Sequence, residues 1–338
     1  MRLVAITSSD HLEAGIVCHD VRNPAQRSEV LVRKGSALSA DQVRALLERG
    51  IDELHLALPD PEDVPEDEAA QRLAAAVAGP GADFSEAHHG QVSFHAARRG
   101  MLRVNRPALD RVNDVADVLL LTALPDRPVD SGMSLGVVKC APLFISERRL
   151  RSVEAFADTV LEVEPFQPLR VGLVAPRERL RSGAFERARA ALSTALEWYG
   201  SSLDCVVDAD ATVEGLASAY RQVLGQRVDL VLAAGATGTD PLDVVFEGLR
   251  QAGGEVVQIG IPAEPGTACW IGCVGTAPVL GLASCELFGR PGALDLLLPA
   301  VHVGAALDGA LVRHLALGGL LLGPSRIAPY HSSKGLDG

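Results

Sequence analysis

The chain has 338 residues, room for two or three domains. Its 31 Lys and Arg stand against 43 Asp and Glu, a formal charge of −12, which argues against a protein whose main task is to wrap nucleic acid or coat an anionic membrane. Apolar residues make up 48 % and aromatics 4 %, so the cores rest on Leu, Val and Ala.

The opening residues MRLVAITSSD lack the basic start and long apolar core of a secretion signal. LVAIT reads as a strand, and EVLVRKGSAL as a strand ending in a Gly turn. SADQVRALLERG reads as a helix, with Ser39 and Gln42 spaced as a capping box and Gly50 as its stop. IDELHLAL returns as a strand. Residues 1–60 are therefore expected to form a small β-rich domain. The acidic, Pro-bearing PDPEDVPEDE (59–68) is expected to be a solvated linker.

Residues 61–165 read as a mixed α+β region. DEAAQRLAAAVAG is a helix, QVSFHAARRGMLRVN two strands about Arg99-Gly100, and PALDRVNDV a short helix. VADVLLLTAL and SGMSLGVVKCAPLFIS read as strands, and SERRLRSVEAFADTVLE as a helix. Adjacent His88 and His89 point in different directions on any regular element, so they read as a polar loop. The six cysteines form no CxxC pair, and Cys269 and Cys273 have no second pair to complete a zinc pattern. They are expected to be unpaired thiols in a reducing compartment.

Residues 168–304 change rhythm. LRVGLVA, LDCVVDA, VDLVLAAG and EVVQIGI are apolar strands. AFERARAALSTALEWYG, TVEGLASAYRQVLG (capped by Thr212) and DPLDVVFEGLRQAGG are the helices between them. This alternation predicts βαβ crossovers and a mostly parallel sheet covered on both faces, an α/β/α three-layer fold. CWIGCVGTAPVLGLA then reads as a hairpin turning at Gly275-Thr276, and a helix through Leu294 to Leu298 closes the domain. Residues 305–338 are left as a tail. The apolar stretch 301–323 is broken by His302, Asp308, Arg313 and His314, so no bilayer span is expected and the protein is read as cytoplasmic.

Ligands of open α/β sheets collect beyond the carboxyl ends of the strands. There the chain places Gly235-Ala236-Thr237-Gly238-Thr239-Asp240-Pro241-Leu242-Asp243. A tight turn, a phosphate cradle, and an anionic-ligand site with a metal all fit this stretch. Gly235 and Gly238 allow a close backbone approach, Thr237 and Thr239 offer hydroxyls, and a helix starting near Asp240 or Pro241 would aim its amides and dipole at an anion. Asp240 fits an N-cap. Asp243 fits the first helical turn, with Glu247 four residues on along the same face. The stretch is neither GxGxxG nor GxxxxGK[ST]. The Pro265-Gly266 loop and Ser284 are the other segments expected at that edge. No His there has the spacing of a Ser–His–Asp triad.

GATGTDPLDVVFEGL resembles the motif of the molybdopterin-binding domain, found in molybdopterin adenylyltransferases, molybdopterin molybdotransferases, gephyrin and competence-damage proteins. Gly235, Thr237, Gly238, Pro241, Asp243, Val244 and Glu247 fall in register with the adenylyltransferase form. GGEVVQIGIPAEPG, the hairpin and APVLGLA are similar to the molybdotransferase run, and the match covers about 168–304. More loosely, the whole chain resembles longer bacterial molybdopterin-binding proteins. It departs from the pattern where APRERLRSGAFE replaces a TGDE-like loop and Ala283-Ser284-Cys285-Glu286 replaces a PGNP-like turn. Thr267 stands for a Lys and Val245 for a hydroxyl residue.

The resemblance implies binding of molybdopterin or its adenylylated form, in biosynthesis or delivery of the molybdenum cofactor. Phosphate would sit at Gly235–Thr239, and Asp240 or Asp243 would hold Mg²⁺ or the pterin amino groups. Arg177, Arg179 and Arg181 would add positive charge. Adenylyl transfer or molybdate insertion through Asp243 and Mg²⁺ is the enzyme alternative, and a nucleotide-binding regulatory module the third. The expected partners are an apo-molybdoenzyme or a cofactor-maturation protein, and the expected assembly a homo-oligomer.

Overall fold

The computed structural model describes residues 1–8, 12–156, 158–176, 178, 184–283, 286–321 and 329–331. The chain forms two compact units, one of 1–97, 103–125 and 131–163, the other of 98–102, 126–130 and 164–338. Both mix helices and strands. Among the described residues no helix is long and apolar enough to cross a membrane.

In the first unit, Arg2–Ile6, Leu54–Leu58, Gly15–Val17 and Ala37–Leu38 make an antiparallel sheet in that order. Val17, Leu38, Leu54 and Leu56 meet Val43 and Leu46 of the helix Ala40–Glu48 in one core. The predicted capping box is present, with Ser39 and Gln42 each accepting the other's backbone N–H. A second antiparallel sheet runs Val118–Thr122, Ser134–Cys140, Gln91–Ala96, Ala82–Phe84. The helix Glu66–Val77 buries Ala69, Ala70, Leu73, Ala74 and Val77. On its other side, Arg72 donates to Glu147 and Glu154 of the helix Glu147–Phe156. The bonds to Glu147 from Arg72 and, second, from Arg151 pull its carboxyl down to about 2.

Two expectations change here. The acidic linker contains the strand Asp63–Pro65, paired with Phe144–Ser146, because its one apolar residue, Val64, is buried opposite Ile145. The helix expected over 146–162 stops at Phe156, and Leu161–Glu164 is a strand. There Leu161 and Val163 are buried and alternate with half-buried Glu162 and Glu164, a period of two.

In the second unit the βαβ rhythm holds. It comprises β1 (Arg170–Ala175), α1 (Ala184–Trp198), β2 (Ser202–Asp208), α2 (Val213–Leu224), β3 (Leu230–Ala233), α3 (Val244–Gln251), β4 (Gly254–Ile259), β5 (Trp270–Val274), β6 (Ala277–Gly281), α4 (Leu294–His302) and α5 (Gly309–Ala316). The sheet order is β2-β1-β3-β6-β5-β4. Its first four strands are parallel, and β5 runs antiparallel to both neighbours.

Alternate strand residues feed two separate cores. Val171, Leu173, Leu230, Leu232 and Leu280 pack with Phe185, Leu192 and Leu196 of α1 and Leu297 and Leu298 of α4. Val174, Val231, Ala233 and Val279 pack with Leu216 and Tyr220 of α2 and Val245, Phe246 and Leu249 of α3. The central strands β1, β3 and β6 are thus buried on both faces, which is why their sequences read as near-continuous apolar runs. Trp270 lies flat over Gly281, where a Cβ would come within 1.8 Å of the indole nitrogen.

Candidate functional site

α1 leaves β1 on one face of the sheet and α3 leaves β3 on the other. The helices that follow the neighbouring strands β1 and β3 thus lie on opposite faces, the arrangement beside which ligands of open α/β sheets collect at the carboxyl ends. Because β5 is antiparallel to β6, its first residue, Trp270, pairs with Gly281 at the end of β6. The loop before β5 therefore joins the same edge, and the segments 234–243, 260–269 and 282–293 meet there.

The first of these is the Gly–Thr loop. Gly235 has φ of +87°, the left-handed region that a side chain resists, and the chain turns there out of β3. Gly238 lies so close to Ala268 that a Cβ would be 3.1 Å from it, which ties this loop to the 260–269 loop. Thr237, Thr239 and Asp240 are exposed, while Gly235, Ala236 and Gly238 are half-buried.

The helix after the loop begins later than its sequence suggests. α3 starts at Val244, and its N-cap is Asp243, not Asp240. Residues 237–243 first make two successive turns, with Asp240 N–H donating to Thr237 and Asp243 N–H to Asp240. Asp240 Oδ1 accepts from Leu242 N–H at 3.0 Å, the local bond an Asp before Pro favours. Asp243 is 4 % exposed. Its Oδ1 accepts from Val245 N–H at 2.9 Å and its Oδ2 from Thr237 N–H at 3.0 Å. One carboxylate thus caps the helix and clips the loop to it. Glu247 accepts from Arg250, whose guanidinium also reaches Pro241 O.

With Thr237 held this way, the amides of Gly235, Ala236, Gly238 and Thr239 have no hydrogen-bond acceptor among the described residues. They leave donors at the carboxyl end of β3 for solvent or an anion. Among the described residues no group of His, Cys, Asp and Glu has the makeup of a metal centre. Asp240 keeps one carboxylate oxygen without a hydrogen-bond partner among the described residues, while Asp243 commits both of its own to amides.

The other two segments close on a residue that the sequence reading passed over. Glu286 is 2 % exposed. Its carboxylate accepts from Ala283 N–H at 2.7 Å, the Cys269 thiol at 2.8 Å and Leu294 N–H at 3.3 Å. A Cβ on Gly266 or Gly292 would lie 2.7 Å from its Oε1, so both glycines pass against it. Burial pushes the Glu286 carboxyl up. Gly266 is buried against Ala293 with φ of +115°, and Pro265 beside it is exposed. Ser284, Arg177, Arg179 and Arg181 lie outside the described residues. An acid inside an apolar stretch was the available signal for Glu286, since a carboxylate so placed needs several donors.

A Ser–His pair does occur, at the opposite edge. Ser201 Oγ lies 2.8 Å from His302 Nε2 and accepts from Leu169 N–H. His302 Nδ1 faces Leu298 O at 2.7 Å, so the proton sits on Nδ1 and Nε2 accepts from the serine. His302 is fully buried, and desolvation lowers it to about 4. The pair is buried and ties α4 to the start of β2.

No family model matches the chain, and no curated protein matches it. Solved structures similar to it include the molybdopterin biosynthesis moea protein from Pyrococcus horikosii, 15 % identical over 71 % of this chain and 79 % of that one, TM-score 0.29. A molybdopterin biosynthesis protein from Mycobacterium abscessus is 14 % identical over 45 % of this chain and 98 % of its own, TM-score 0.25. CinA from Thermoplasma acidophilum is 17 % identical over 36 % and 90 %, TM-score 0.27. At scores this low the likenesses carry no argument about what this chain does.

Proposed function

We propose that the second unit is a three-layer α/β/α molybdopterin-binding-like domain. Its ligand is molybdopterin or the adenylylated form, and its role lies in molybdenum-cofactor biosynthesis or delivery. The observation that carries the reading is the row of open amides at Gly235, Ala236, Gly238 and Thr239, at the strand edge where the motif resemblance puts a phosphate. Backbone N–H groups at such an edge suit phosphate without a basic side chain, which fits a chain of net charge −12. Asp243 acts by shape: it takes the Thr237 amide and fixes the loop, leaving its neighbours' amides without an acceptor among the described residues.

The observed donors favour a carrier over a transferase. An Mg²⁺ arriving with the phosphate would find Asp240's free oxygen; Asp243 would have to release amides to join it. The test is to purify the protein from a host that makes the cofactor, oxidise any bound pterin to its fluorescent form and quantify it. A carrier returns pterin with no ATP turnover. AMP transfer from ATP to molybdopterin, abolished in Asp243→Asn, would replace the carrier by the enzyme. Absence of pterin together with tight ADP-ribose or NAD binding would replace both by a nucleotide module.

A further inference from the structure

A cavity of about 220 Å³ lies away from the Gly–Thr loop, between α1 and the segment that leads into α4. None of residues 235–247 lines it. Its walls are mostly apolar: Ala191, Leu192 and Ala195 from α1, with Pro291 and Leu294 opposite. Gly289 (φ +65°) approaches α1 so closely that a Cβ would come within 2.8 Å of Ala191 Cβ. That contact sets the next residue, Arg290, at the cavity's rim.

The acids on the lining are committed. Glu286 accepts from Ala283, Leu294 and Cys269, and burial favours its neutral form. Asp295 accepts from Gly292 N–H at 2.8 Å and from the Tyr330 hydroxyl, and His331 Nε2 lies 2.9 Å away. Arg290 has no hydrogen-bond or ion-pair partner among the described residues. A charged fork beside an apolar hollow has one natural complement, a planar anion with a compact apolar body. A dry cavity of roughly 150 Å³ accommodates benzene, so this one has room for a ring and its substituent.

The geometry points to a second ligand site, for a small aromatic or short aliphatic monocarboxylate, with the carboxylate on Arg290 and the apolar body against α1. It is independent of the pterin reading. Calorimetric titration of the full chain with benzoate should show saturable binding at one site. Benzyl alcohol, which keeps the ring and loses the charge, should bind at least about tenfold more weakly, and Arg290→Gln should weaken benzoate by a similar factor. Thr194→Trp, at an exposed lining position on α1, should block the cavity and abolish binding while leaving Arg290 in place. Absence of benzoate binding at millimolar concentration, equal affinity for the alcohol, or full affinity in Arg290→Gln would each overturn the proposal.

Discussion

Two stretches at one sheet edge spend their backbone amides in opposite ways. Along 235–243 one buried carboxylate, Asp243, takes the Thr237 amide, while those of Gly235, Ala236, Gly238 and Thr239 have no acceptor among the described residues. Along 283–294 a single carboxylate, Glu286, draws two amides and a thiol inward and leaves no room beside it for a side chain on Gly266 or Gly292. Both loops carry two glycines and one buried acid. The difference is where the acid sits: at a helix N-cap it serves the loop's shape, and in the core it becomes the loop's anchor. Substitutions should therefore separate stability from binding along this line.

The anchor should fail hardest. Glu286→Ala leaves the Ala283 and Leu294 amides and the Cys269 thiol without their buried acceptor and opens a hole. A loss of about 3 kcal/mol or more is expected in urea unfolding. Gly266→Ala should follow at about 2 kcal/mol, because its φ of +115° and the 2.4 Å approach of a Cβ to Ala293 N both oppose a side chain. Unfolding midpoints near wild type for both would show that the two loops are alike after all. Asp243→Ala should cost less, about 1–2 kcal/mol, the price of a lost N-cap. It should also lower pterin content, since Thr237 is freed to rearrange. Asp243→Asn retains one acceptor oxygen and should recover part of the stability.

Much of this was legible. The central strands of the second unit could be read within a residue or two because burial on both faces makes their text continuously apolar, as in VDLVLAAG against the observed Leu230–Ala233. Thr212 and Ser39 were readable as caps because the side-chain-to-amide bond needs only local spacing. The start of α3 was not, because two turn-forming residues precede the helix. Asp240 before Pro241 looks like a cap, and only the register with Thr237 makes Asp243 the better one. Glu286 was hidden for the opposite reason. Its partners Cys269 and Leu294 come from other segments, so no local pattern records them. The strand Asp63–Pro65 was masked by its charged neighbours, since the pairing that buries Val64 comes from Phe144–Ser146.

A smaller effect sharpens the contrast through pH. Burial raises the Glu286 carboxyl above its ordinary 4.5, so folding favours its protonated form. The stability this supplies is full below about pH 4.5 and is lost as pH rises through the raised value. Glu286→Gln cannot titrate. The stability of wild type minus that of Glu286→Gln should therefore fall as pH is raised across this window, measured from paired urea midpoints. A flat difference would mean that the three donors offset the burial completely and the anchor works as a plain carboxylate.

The smallest change in folding should belong to the open loop. Thr239 is exposed, and its side chain makes no hydrogen bond among the described residues, so Thr239→Asp should shift stability by no more than about 0.5 kcal/mol. Its added charge would nonetheless stand beside the amides of Gly238 and Thr239, where the proposed phosphate is held. Like charges at a few ångströms oppose binding by about a kilocalorie or more, so pterin content should drop at least several-fold while the unfolding curve stays in place. A drop in both would place Thr239 with the anchor, and no drop in either would remove the phosphate from this loop. Pairing this variant with Thr239→Ser, which keeps the hydroxyl and adds no charge, assigns the effect to electrostatics rather than to the loop's shape.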